Sequence, residues 1–148
     1  MFERVGAEES ERQEALASRV RNELSAAGLP VLTPGLDRVL ANGAEAEVDD
    51  GADAAGGVYV GWLASPRLRE CTGRAFRLRL PDDPLLRHSG EIGAAMTRST
   101  AATLASTGFA VEDADDGYRS HPLRVTGGPA RAAPMWALRD DEVAVPGW

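Results

Sequence analysis

Residues 58–63 read Val58-Tyr59-Val60-Gly61-Trp62-Leu63. Val58, Val60 and Trp62 fall on one side of a pleat and Tyr59, Gly61 and Leu63 on the other, the period-two signature of a strand with one buried face. From Pro84 to Thr107 the period changes, and Ile92, Met96, Thr100 and Leu104 recur every fourth residue as one stripe of a helix. A strand and a long helix within fifty residues define an α+β domain.

Working outward, the first helix is bounded by a capping box, Ser10 with Gln13, and by Gly28-Leu29-Pro30, a left-handed stop with an apolar residue behind it. Leu16, Val20 and Leu24 form its stripe. Val31-Leu32-Thr33 reads as a short extended piece, Leu36 to Leu40 as one helical turn, and Glu45 to Val48 as a partner for Val58 to Leu63 across a loose acidic, glycine-rich loop. Ser65-Pro66 caps a further helix with Leu68, Cys71, Ala75 and Leu78 at helical spacing on its stripe. Past residue 75 two patterns compete, because Phe76, Leu78 and Leu80 alternate with Arg77 and Arg79 as a strand would.

Asp83-Pro84 or Ser89 starts the long helix, and Gly108-Phe109 ends it as Gly28-Leu29 ends the first. Phe109 to Glu112 and Leu123 to Val125 then form a closing hairpin around Asp115-Asp116-Gly117. The expectation is one α+β domain over residues 1–126: two main amphipathic helices on an antiparallel sheet of about four to five strands, in an α-β-β-β-α-β-β-like order. Leu16, Val20, Leu24, Val58, Val60, Trp62, Ile92, Met96, Leu104, Phe109 and Val111 should share its core. Residues 127–148, rich in alanine and proline, read as an extended C-terminal tail. The order helix, strands, helix, strands resembles that of type III secretion chaperones, a likeness of element order that no shared motif carries.

At 148 residues one domain hides roughly 70% of its unfolded surface and needs no staple. Cys71 is the single cysteine, which fits a reducing cytoplasm, and no apolar run reads as a signal peptide or membrane span. All basic residues are arginine, a bias that goes with the abundant alanine, glycine and proline and reads as codon usage. The net charge of −7 disfavours nucleic acid and anionic membranes as partners.

No motif for catalysis, a metal or a cofactor stands on this frame. Asp49, Asp50 and Asp53, and Asp113, Asp115 and Asp116, lack calcium-loop spacing: with Asp113 as the first position, the twelfth is Arg124, a cation where a carboxylate is needed. Cys71 reads as a small buried apolar group, and His88 and His121 as surface residues without metal-ligand spacing. Two features stand out. Arg67, Arg69, Arg74, Arg77, Arg79 and Arg87 face only Glu70, Asp82 and Asp83 in the same stretch, which is either a solvated face or an anchor for an acidic partner or a phosphate-bearing ligand. The tail carries Met135, Trp136, Val143, Val145 and Trp148, apolar side chains that suit docking on the chain's own core or a second copy, or a peptide offered to another protein. The expected function is a small cytoplasmic protein-interaction module, adaptor, chaperone-like or immunity-like, with a protein partner or self-association, no cofactor and no membrane. Arg67, Arg74, Arg77, Arg79, Arg87, Trp136 and Trp148 are its expected contact residues. A small-molecule-binding protein or enzyme, and a nucleic-acid-associated factor, are the alternatives.

Overall fold

Val20 and Leu24, with Ala17 beside them, carry the buried stripe of α1 (Phe2–Ala26). The structure, a computed structural model, describes residues 2–34, 37–48, 57–114 and 122–130. The Asp49–Asp53 and Asp115–Gly117 turns, His121, and the tail from residue 131, with Met135, Trp136, Val143, Val145 and Trp148, lie outside the described residues. The helix starts eight residues before the expected capping box at Ser10. Gln13 turns toward Glu9 instead (Nε2 to Oε1, 3.4 Å), because a capping box needs a chain reversal upstream, and the Glu- and Arg-rich run before Ser10 simply continues the helix.

The end of α1 is as expected. Gly28 has φ +93° and the Leu29 N–H donates to the Leu24 carbonyl at 3.1 Å, closing a Schellman turn that brings Leu29 against the core. Val31–Thr33 does not become a strand. Ala44 N–H donates to the Pro30 carbonyl and Leu32 N–H to the Ala44 carbonyl, both at 2.9 Å, giving a single parallel bridge between Val31 and Ala44. The rung to Ala46 would need an N–H from Pro34, which has none. Arg21 Nη2 takes the Ala46 carbonyl at 2.8 Å instead.

Four antiparallel strands follow in the spatial order β1-β2-β4-β3: β1 (Gly43–Val48), β2 (Val58–Leu63), β3 (Ala110–Asp113) and β4 (Leu123–Gly127). Registers Ala46↔Val60 and Val60↔Leu123 set one face toward the helices. Ala110 pairs with Gly127 and Val111 with Val125, so Thr126 is an extra residue that kinks β4 where it pairs with the edge strand β3. Pro129 beyond it is tied back to α1, its carbonyl accepting from Arg19 Nη2 at 2.9 Å while the Arg19 guanidinium lies over the Phe109 ring.

Between β2 and β3 stand two helices, α2 (Pro66–Arg77) and α3 (Pro84–Ser106), so there are three helices, α1 and α3 against the sheet and α2 against α3, and the order is α-β-β-α-α-β-β. Of the two starts considered for α3, Asp83 is used: its Oδ1 accepts from Leu85 N–H at 2.9 Å, with Pro84 at the first helical position. The core joins Val20, Leu24, Ala44, Ala46, Val58, Val60, Leu104, Phe109, Leu123 and Val125, with Leu16, Trp62 and Val111 packed on its margin. Ile92 and Met96 were expected there and are only half-buried.

Arg69 joins three segments. Its Nε donates to the Ala64 carbonyl at 2.9 Å, and its Nη2 reaches the carbonyls of Arg38 (2.8 Å), Val39 (3.2 Å) and Ala41 (2.8 Å), pinning the 3-10 turn Arg38–Leu40 against the start of α2. Charge-assisted bonds of this kind contribute more than neutral ones. Arg69→Met, which keeps the apolar stem, should lower stability by about 2 kcal/mol in urea unfolding, whereas Arg67→Met should stay within about 0.5 kcal/mol. Equal midpoints for the two variants would show the clamp to be passive.

Candidate functional site

The expected arginines are held by a helix that buries almost nothing on its outer side. The Ser65 Oγ accepts from Leu68 N–H at 3.3 Å and Pro66 occupies the first turn. Leu68, Thr72 and Ala75 repeat at four and three residues and form the stripe turned inward, of which Ala75 is the one fully buried residue of α2. Cys71, expected on that stripe and buried, is exposed. Four residues separate Ala75 from Cys71, but the true stripe follows Leu68 and Thr72, and Cys71 lies on its outer flank.

Arg67, Arg74 and Arg77 occupy the solvent side of α2. At 3.6 residues per turn Arg67 and Arg74 coincide, with Glu70 and Arg77 beside them. The Arg77 Nη1 lies 3.4 Å from where a Cβ on Gly73 would stand, so the absent side chain lets this guanidinium lie back along the helix. Arg79 and Arg87 are exposed on the connection and on the first turns of α3. Among the described residues, none of Arg67, Arg74, Arg77, Arg79 and Arg87 enters an ion pair or a side-chain hydrogen bond. Of the seven expected contact residues, Arg67, Arg74 and Arg77 thus lie on the outer side of α2, Arg79 just beyond its end and Arg87 on α3. Trp136 and Trp148 lie outside the described residues.

What the sequence left open at residues 76–80 is settled by two hydrogen bonds. Leu80 N–H donates to the Ala75 carbonyl at 3.0 Å and Leu78 N–H to the Arg74 carbonyl at 2.9 Å, so the helix runs to Arg77 and closes in the same Schellman turn that ends α1 and α3. Phe109 N–H to the Leu104 carbonyl at 3.1 Å, with Gly108 at φ +97°, is the third instance. In α2 the left-handed position is filled by Arg79, at φ +53°, where the other two helices have glycine. The residue that follows differs as well. Leu29 and Phe109 pack on the core, but Leu80 remains 45% exposed, beside Phe76 at 71% and Leu78 at 57%.

These three apolar side chains are what reading the sequence missed. Their alternation with Arg77 and Arg79 was visible, yet alternation predicts one buried side, and here both sides face water. Leu80 also lines, with Arg79, Pro81, Asp82, Asp83 and Pro84, a shallow concavity of about 310 Å³. A left-handed arginine costs about 1–2 kcal/mol relative to right-handed backbone. Arg79→Gly removes that cost and gives back about 0.4–1 kcal/mol of unfolded-state freedom. The thermal midpoint should therefore hold or rise slightly. A fall of several degrees would mean that the Arg79 side chain supports the fold.

A second concavity, about 360 Å³, runs beside β1 between Pro34 and Val48 and includes Glu14, Arg21, Arg38 and Glu45. Arg38 Nε pairs with Glu45 Oε2 at 3.0 Å, and the buried Arg21 Nε has no hydrogen-bond partner among the described residues. His88 is exposed on α3, and no three His, Cys, Asp or Glu side chains among the described residues gather as metal ligands would. No helix among them is long and apolar enough to cross a membrane.

No protein-family model, curated protein or solved structure matches this chain. The likeness in element order to type III secretion chaperones therefore carries no function to it.

Proposed function

We propose that this chain is a small cytoplasmic protein-interaction module, adaptor, chaperone-like or immunity-like, that acts by binding and not by bond chemistry. The supporting observation is the end of α2, where Phe76, Leu78 and Leu80 stand exposed among arginines that have no ion-pair partner among the described residues. Scattered exposed leucines need no explanation, but an aromatic and two leucines exposed within five residues, at a helix end whose counterparts in this chain pack inward, concentrate apolar area as interfaces do. Aromatic and arginine side chains are also the types enriched at binding hot spots.

The test is capture of partners by the tagged full-length chain from its source cytoplasm, followed by reconstitution from purified components. A stoichiometric complex that reassembles with a measurable Kd supports the module. If no captured protein reassembles, the module reading fails.

The groove beside β1 favours a second reading, small-ligand binding, because a desolvated guanidinium N–H without an acceptor is a donor the fold leaves unused. Saturable thermal stabilisation by a small carboxylate or phosphate, abolished in Arg21→Met, would support it.

A further inference from the structure

We infer that the α2 C-terminal surface takes an acidic segment of a protein partner, one in which carboxylates alternate or interleave with large apolar side chains. The inference rests on the interaction-module reading and names the chemistry of its partner. Three observations carry it. The apolar side chains Phe76, Leu78 and Leu80 are exposed, and Leu80 also lines a concavity, so they offer burial to apolar side chains of another chain. The charged part is complementary to carboxylates. Arg74, Arg77, Arg79 and Arg87 have no ion-pair partner among the described residues; of the two acids four residues from Arg87, Asp83 is occupied in capping α3 and Glu91 makes no ion pair among the described residues.

The third observation is Arg79 itself. Glycine does the same backbone task at Gly28 and Gly108, so the fold has no need of a side chain at this position. Strained, exposed positions of this kind mark sites where the side chain has work outside the fold. The planar guanidinium forks of Arg77 and Arg79 suit two-point contact with carboxylates. A second copy docking by the same surface is a poorer occupant, since a two-fold contact would set these arginines against their own copies, whereas an acidic segment meets them with opposite charge.

The probe is a random 16-residue peptide display library selected on the folded full-length chain, with the enriched peptides then synthesised and their rate constants measured at two salt concentrations. Enriched peptides should combine Asp or Glu with Leu, Ile, Phe or Trp. Arg77→Glu with Arg79→Glu should slow association about tenfold and flatten its salt dependence. Phe76→Ser with Leu80→Ser should instead speed dissociation about tenfold or more at little change in association. All four positions are exposed, so both variants should fold, which circular dichroism checks. Enriched peptides that lack acidic residues, or that bind both variants as they bind the wild-type chain, overturn the proposal. So does sedimentation of the unliganded chain as a dimer that both variants dissolve, which would make a second copy the occupant. A reconstituted partner whose rate constants ignore all four substitutions leaves the module reading intact and removes this surface from it.

Discussion

Gly43→Ala should unfold the protein or lower its urea midpoint more than any other single methyl addition. Gly43 opens β1 with φ +121°, a conformation that L side chains rarely adopt. An added Cβ would stand 2.3 Å from the Pro30 carbonyl oxygen and 2.6 Å from its carbon. Both are backbone atoms, and that oxygen accepts the Ala44 N–H at 2.9 Å. A side chain must therefore displace the segment that leaves α1, and with it the two bonds that seal the outer edge of β1. Backbone strain of about 1–3 kcal/mol adds to two hydrogen bonds of about 1 kcal/mol each, a large share of the roughly 5–15 kcal/mol that holds a domain together. Gly28→Ala is the matched control: its φ is +93° but a Cβ there meets nothing within 4 Å, so only the backbone term of about 1–2 kcal/mol applies. If the two variants unfold at the same denaturant concentration, the close approach at Pro30 is not what holds the edge.

Much of this fold was legible because the signals were local. The alternation of Val58, Val60 and Trp62 places β2 in register with β1 and β4, and the two glycine stops at Gly28 and Gly108 are read directly from the requirement for positive φ. The third stop was not legible, because Arg79 carries no such signal and its neighbours alternate as a strand does. Ser10 and Gln13 match a capping box, yet a cap is defined by where the chain turns, and nothing before Ser10 makes it turn. Val31–Thr33 has strand composition, but the prolines on either side remove the donors that a ladder needs. Of the candidate surface, charge counting singled out Arg67, Arg74 and Arg77, which lie on α2, with Arg79 after it and Arg87 on α3. Exposure of Phe76, Leu78 and Leu80 was beyond it, since apolar side chains read from sequence are assigned to whichever core is nearest.

Leu104→Ala should cost about 2–5 kcal/mol, while Ile92→Ala, three turns earlier on the same stripe, should cost about 1 kcal/mol, in keeping with partial burial. Periodicity treats the two alike. It reports which side of a helix is apolar and is silent on how far the opposing surface extends. The helix α3 has 23 residues and is about 35 Å long at 1.5 Å per residue. The strands have at most 6 residues and span about 20 Å. The C-terminal half of α3 therefore rests on the sheet, where Thr100 and Leu104 are buried. Its N-terminal half overhangs, with α2 as its cover and Ile92 and Met96 half-buried. Thr100 shows the same division at the level of a polar group: once buried, its hydroxyl bonds back to the Met96 carbonyl at 2.8 Å, the partner available inside its own helix. Urea unfolding of both alanine variants decides the matter. Equal losses would mean that α2 buries its half of the stripe as completely as the sheet buries the other, and a module whose α2 packs that tightly would have less freedom to receive a partner at its C-terminal end.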